Sequence, residues 1–256
     1  MHTIILYTVL VLIFLLPLLL LIRKKTPVAP MSALYKKLLS EHVPFYRMLP
    51  ENKKLEFENR VQLFLAKVKI TGANTTVEDI DRVLIAASAI IPIFNFPNWE
   101  YINLHEVLLY PGSFNHEFEQ QGSERDILGM VGSGALNHIM ILSQAELRHA
   151  FSNETDARNT AIHEFVHLID KTDGSIDGVP TSILDQKYIV PWLQLMQKEI
   201  GLIHNNQSEI NPYGATNQAE FFAVVSEYFF ERPELLQQQH PELYDLLVKI
   251  FSTPKP

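Results

Sequence analysis

The sequence predicts an α+β fold, a mainly helical domain with a small sheet, preceded by one N-terminal transmembrane helix. Three observations carry that prediction. The chain opens on an uncharged apolar run, Met1 to Ile22. Most later apolar residues recur at helical spacing, with short strand-like runs confined to the middle of the chain. Near residue 160 an apolar helical segment carries His163-Glu164-Phe165-Val166-His167.

Ile4 to Ile22 is mostly Leu, Ile and Val, and about 20 such residues span a bilayer as a helix. Pro17 is tolerated in a membrane helix. Arg23-Lys24-Lys25 come next, and no Lys or Arg precedes the run. A cleaved signal peptide would show a positive start, a shorter apolar core and small residues at its end. The run therefore reads as an uncleaved anchor. The positive-inside rule places its C-terminal side, and with it the rest of the chain, in the cytoplasm. The expected organisation is an anchor with its basic flank over 1–25, a Pro-rich linker over 26–31, and one domain over 32–256.

Within that domain, Leu34, Leu38 and Leu39 give helical spacing from Ser32 to Glu41. Leu55, Phe57, Val61, Phe64, Leu65 and Val68 do so from Glu51 to Val68. Thr75-Thr76-Val77-Glu78 reads as an N-cap opening a helix to about Ile91, broken by Pro92. Tyr101 to Leu104 and Val107 to Tyr110 read as strands closed by Pro111-Gly112. Phe114 to Ser123 is polar and reads as a loop. Ile127 to Val131 and His138 to Leu142 read as strands around Gly132-Ser133-Gly134. Helices are expected over Asn159 to Asp170, with Gly174 as a left-handed stop, over Pro191 to about Ile200, Asn217 to Phe230, and Pro241 to Phe251.

Composition narrows the chemistry. Lys and Arg total 21 against 29 Asp and Glu, a formal net charge of -8, without the clustered basic charge that nucleic-acid binding needs. There is no cysteine, so disulfides and thiolate ligands are excluded and any metal site must use His, Asp or Glu.

On a helix, residues four apart lie about 40° apart around the axis, so His163 and His167 leave from one face. Two imidazoles at that spacing can fill two corners of a zinc site, and Glu164 between them can take a proton from an attacking water. The flanking Ala161, Ile162, Phe165, Val166, Leu168 and Ile169 are apolar, so these polar groups need partners, and a metal satisfies all three. His105-Glu106 begins like the same motif, but Leu109 stands where a second His would be needed. His138 reads as a satisfied structural residue.

A catalytic zinc usually takes a third protein ligand. Glu220 and Glu227 lie seven apart in an otherwise apolar helix, on nearly one face, and helical geometry alone leaves both open.

The stretch His163 to Asp170, together with Tyr213-Gly214-Ala215-Thr216-Asn217-Gln218-Ala219-Glu220 and Phe221 through Phe230, resembles the Mlc titration factor A family of zinc peptidases. That family in turn resembles the catalytic domain of anthrax lethal factor. His105 to Pro111 is also similar to a family segment, and the resemblance runs from about Glu51 to Leu236, leaving the anchor outside it. It implies a zincin-like metallopeptidase domain, a Zn2+ cofactor and a peptide or protein substrate. It assigns metal binding to His163, His167 and Glu220, catalysis to Glu164 as general base, and stabilisation of the oxyanion to Tyr213. Glu227 then becomes a supporting carboxylate. Asp170 either orients a ligand His or closes the helix. Founding members of the family bind and sequester a sugar-responsive repressor, which implies a second role for this chain: a membrane-tethered regulator with a transcription factor as partner.

Overall fold

Ser32 starts the first helix, its hydroxyl accepting from the Tyr35 amide at 3.2 Å. The structure is a computed structural model that describes residues 30–122, 125–153 and 158–252. The expected anchor, its basic flank and most of the linker lie outside these residues. Among the described residues no helix is long and apolar enough to cross a membrane. From Met31 onward the chain forms one compact unit.

Helices α1 (Ala33–His42), α2 (Pro44–Met48) and α3 (Glu51–Lys67) lead to strand β1 (Lys69–Gly72). Helix α4 (Asp79–Ile93) differs from expectation at both ends. Its N-cap is Glu78, not Thr75, because Glu78 and Asp81 form a reciprocal capping box and Arg148 grips both carboxylates. At the other end Pro92 stands inside the last turn instead of breaking it. Arg60 donates to the carbonyls of Ile93 (2.8 Å) and Phe94 (2.7 Å), satisfying acceptors at the end of the helix.

Strand β2 spans Glu106–Tyr110, β3 Gly129–Val131 and β4 Ile139–Ser143. The sheet order is β1-β2-β4-β3, with β1, β2 and β4 parallel and β3 antiparallel to β4 at an edge. The expected strand over Tyr101 to Leu104 is a turn. Its β-prone side chains pack rather than pair: the Tyr101 ring lies 5.1 Å from that of Phe165, and its hydroxyl donates to the Ala89 carbonyl at 2.8 Å. Phe114, expected in a polar loop, is buried and exchanges backbone hydrogen bonds with Ile127.

Helix α5 (Gln144–Ser152) springs directly from β4, with Ser143 as its cap. It is followed by α6 (Thr160–Asp170), α7 (Ile189–His204), α8 (Gln218–Glu231), α9 (Pro233–Gln239) and α10 (Pro241–Ser252). Gly174 adopts the expected left-handed conformation with φ 103°. Helix α6 is central: every residue from Ala161 to Asp170 is buried, and it packs against α4, α8 and β3. The result is a mostly helical fold with a small mixed sheet.

Candidate metal centre

Asn159 caps α6, its side-chain oxygen accepting from the Ile162 amide at 3.1 Å. That fixes the first turn and sends His163 and His167 toward α8. Asn217 caps α8 in the same way, accepting from the Glu220 amide at 2.9 Å. Glu220 therefore sits in the first turn of α8, where the positive end of the helix dipole favours a carboxylate.

Three potential ligand atoms converge. His163 Nε2 lies 2.9 Å from Glu220 Oε2 and 3.1 Å from His167 Nε2, and His167 Nε2 lies 3.5 Å from Glu220 Oε2. Zinc–nitrogen distances of about 2.0–2.1 Å correspond to a tetrahedral edge of about 3.3–3.4 Å, so the three spacings suit three corners around one small cation. Glu227 does not join this cluster.

Glu227 instead supports it. Its Oε1 lies 2.7 Å from His163 Nδ1, and its Oε2 accepts from the Asn159 amide at 2.7 Å. With Nδ1 donating to Glu227, the Nε2 lone pair faces the Glu220 carboxylate oxygen, an arrangement that calls for a proton or a cation between them. The ionisation tendencies agree. Burial works to lower the pKa of His163, but Glu227 and Glu220 outweigh it and raise it to about 10. Burial works to raise Glu220, but hydrogen bonds from His163 and His167 hold it at about 2. The pocket is built to keep positive charge, and the donor set fits zinc.

Glu164 is buried beside this cluster, and burial raises its pKa against the lowering influence of the two histidines. Tyr213 is 52% exposed, with its ring 6.0 Å from that of His163. Burial, followed by the charges of Glu220 and Glu164, raises its pKa and keeps the hydroxyl a donor. Glu164, Tyr213, Asn211, Gly129, Asp126 and Glu146 share the lining of a cleft of about 360 Å³.

Strand β3 closes the cleft from the sheet side, and a glycine makes that approach possible. A methyl group on Gly129 would stand 2.8 Å from Glu164 Cγ and 2.8 Å from Thr160 Cγ2. The sequence carried no sign of this contact, nor of Asp126 and Glu146 at the cleft. The tie between Glu227 and Asn159 was equally hidden, although both residues stood at recognisable helix positions.

Asp170 closes the helix. Its Oδ2 accepts from the Gly178 amide at 2.7 Å, and burial raises its carboxyl to a pKa of about 6. His105 and His138 stack on each other at 4.6 Å, and His138 Nδ1 lies 3.0 Å from the Asn103 carbonyl. Neither belongs to the cluster of potential ligands.

Known proteins share this sequence pattern. The family described as glucose-regulated metallo-peptidase M90 matches residues 21–252. An uncharacterized protein of Synechocystis sp. is 31% identical over 237 residues, covering 87% of this chain and 84% of that protein. Mlc titration factor A of Pectobacterium atrosepticum is 32% identical over 189 residues, covering 68% of each. Mlc titration factor A of Escherichia coli is 25% identical over 227 residues, covering 82% of this chain and 83% of its own. A match spanning nearly the whole described domain, over a fold that brings two histidines and a glutamate together, leads to one conclusion: this chain belongs to the glucose-regulated metallo-peptidase M90 family.

Proposed function

We propose that the chain is a zinc-dependent peptidase that hydrolyses peptide bonds, with His163, His167 and Glu220 as metal ligands, Glu164 as general base and Tyr213 as oxyanion donor. The observation that carries this proposal is the convergence of three ligand atoms beside a buried carboxylate at an open cleft. Zinc, when bound, supplies a Lewis acid and a water acidified toward a pKa of about 7. Glu164 takes a proton from the attacking water and delivers it to the departing amine, a task suited to a carboxylate whose basicity burial has raised. The Tyr213 hydroxyl donates to the carbonyl oxygen as that oxygen gains negative charge. Glu227 holds the His163 ring in the tautomer that turns Nε2 toward the metal. Gly129 lets the backbone of β3 lie against Glu164, where an extended substrate chain can run alongside.

The test is the zinc content of the domain from Ser32 onward, beside the His163→Ala variant. About one zinc per chain, lost in the variant, supports the proposal. A folded domain that takes up no zinc when zinc is supplied overturns it. The proposal also places the domain on the cytoplasmic face of a membrane, tethered by Ile4 to Ile22. Full-length chain found in the soluble fraction of fractionated cells would refute that placement.

A second reading has a different support. Two of the relatives described above bear the name Mlc titration factor A, which describes those proteins as titrating Mlc and says nothing of hydrolysis. That name favours, for this chain, a role in binding and sequestering a protein partner, which the second reading takes to be a transcriptional repressor held at a membrane by the proposed anchor. The cleft geometry favours the peptidase. The two are compatible, and a repressor pull-down that survives removal of zinc would make binding the principal role.

A further inference from the structure

We propose that His240 is a positioning residue that ties the loop 205–211 to the helical body and thereby holds Tyr213 at the mouth of the cleft. This rests on the role proposed above for Tyr213.

His240 lies between α9 and α10. Its side chain is 10% exposed and is faced by a carboxylate at each nitrogen. Nδ1 is 3.0 Å from Glu199 Oε2 of α7, and Nε2 is 3.1 Å from both oxygens of Glu209. The Tyr228 hydroxyl, from α8, donates to Glu209 Oε1 at 3.0 Å. Nε2 meets Glu209 in hydrogen-bond geometry, whereas Nδ1 meets Glu199 as a close ion-pair contact whose oxygen has no aligned hydrogen bond. The ring thus bridges two carboxylates, a setting that suits the imidazolium, which carries an N–H at each nitrogen.

What it bridges matters for the cleft. Glu209 is the only charged residue between α7 and the turn at Pro212–Ala215. Four residues further on stands Tyr213, whose amide donates to Asn211 Oδ1 at 3.1 Å. Asn211 and Tyr213 both line the cleft. A pull on Glu209 is thus passed along a short, turn-locked stretch of backbone to the Tyr213 hydroxyl.

The groups around the bridge favour the charged ring. Glu199 raises the pKa of His240, burial opposes it, and Glu209 raises it further. Tyr228 stays protonated beside Glu209, with Arg232 as the nearby cation at the end of α8. Glu242, in the first turn of α10, is engaged by Lys198 and leaves the ring to its two carboxylates. As pH rises through the elevated pKa of His240, one of the two contacts is lost and the loop loosens.

The test uses the full chain in detergent with zinc supplied, as wild type, His240→Gln and Glu209→Gln, the last at a half-exposed loop position in case the first fails to fold. Amide hydrogen exchange reads the loop directly. Faster exchange at 205–215 in either variant, with α6 unchanged, is expected, and unchanged exchange there overturns the proposal. Hydrolysis of fluorescein-labelled casein reads the link to Tyr213. Each variant should lower kcat about tenfold with KM nearly constant, and the loss should vanish in a Tyr213→Phe background. A loss that persists undiminished in that background means His240 does not act through Tyr213 and overturns the positioning role. Faster loop exchange in a chain whose zinc-loaded wild type cleaves no casein supports the tie to the loop while counting against the peptidase reading.

Discussion

Replacing Glu227 with Gln separates the two jobs that its carboxylate performs. One oxygen receives His163 Nδ1 and the other receives the Asn159 amide, each at 2.7 Å. An amide side chain keeps one acceptor and turns the other into a donor, so one of these two partners is left facing an NH2 group. Leaving a buried donor without a partner costs about 1–3 kcal/mol. For a domain of this size that lowers Tm by about 3–9 °C. The variant also removes the negative charge that polarises the His163 ring, a change worth about 10–100-fold in metal affinity, or about 1.4–2.7 kcal/mol. Glu220→Gln should weaken zinc more than this, because it turns a carboxylate of the cluster itself into a neutral amide, a far poorer ligand. Competition against a chromophoric chelator measures the affinities, and circular dichroism melting measures Tm. A Glu227→Gln chain that binds zinc within about twofold of wild type and melts at the same temperature would refute the reasoning about both oxygens.

Three other outcomes are expected at the site and around it. Glu164→Gln should keep the metal and lose at least about 10²-fold in turnover, read by peptide hydrolysis beside zinc content; full activity would remove Glu164 from its role. Gly129→Ala should push β3 away from α6, since the new methyl would meet Glu164 and Thr160 at 2.8 Å. A stability loss of about 1–3 kcal/mol by denaturant unfolding is expected, and a neutral result would show that the strand moves freely. Asp170 has a carboxyl raised by burial from 3.8 to about 6, so the folded state holds its proton more tightly than the unfolded chain does. Stability is therefore lost as pH rises between those values, by up to about 3 kcal/mol. Asp170→Asn, which keeps an acceptor for the Gly178 amide, should stabilise the zinc-free domain at pH 7 and leave it unchanged near pH 3.5 in paired unfolding curves.

The sequence made the helix of potential ligands plain because two signals coincided: His at i and i+4, and a mostly apolar run around them. The choice between Glu220 and Glu227 was beyond periodicity, since seven residues return to the same side of a helix. It depended on how far α8 is displaced along α6, a tertiary quantity that brings Glu220 level with His163 Nε2 and Glu227 level with Nδ1. Strand β1 escaped notice because four residues with one buried side chain give no alternation to count. Helix α5 escaped because it begins without any loop after β4. Tyr101 and its neighbours misled for the opposite reason. Their residue types favour strands, but here the aromatic ring serves as a wedge between helices. Asp126 and Glu146 reach the cleft only through the folding of the sheet, which no local pattern encodes.

The tie between Glu227 and the residue that caps α6 has a consequence for how such a chain can diversify. Among the described residues, helices α6 and α8 hold between them every potential ligand atom of the cluster and the carboxylate that orients His163. The opposite wall, β3 and the described residues leading into it, contributes no ligand to that cluster. The potential ligands and their support therefore stand on one side of the cleft, and a wall that adds none of them on the other. Changes along the strand wall could reshape the cleft while the two helices keep their alignment, and a slip of one helix past the other would break the cluster and its support at a stroke.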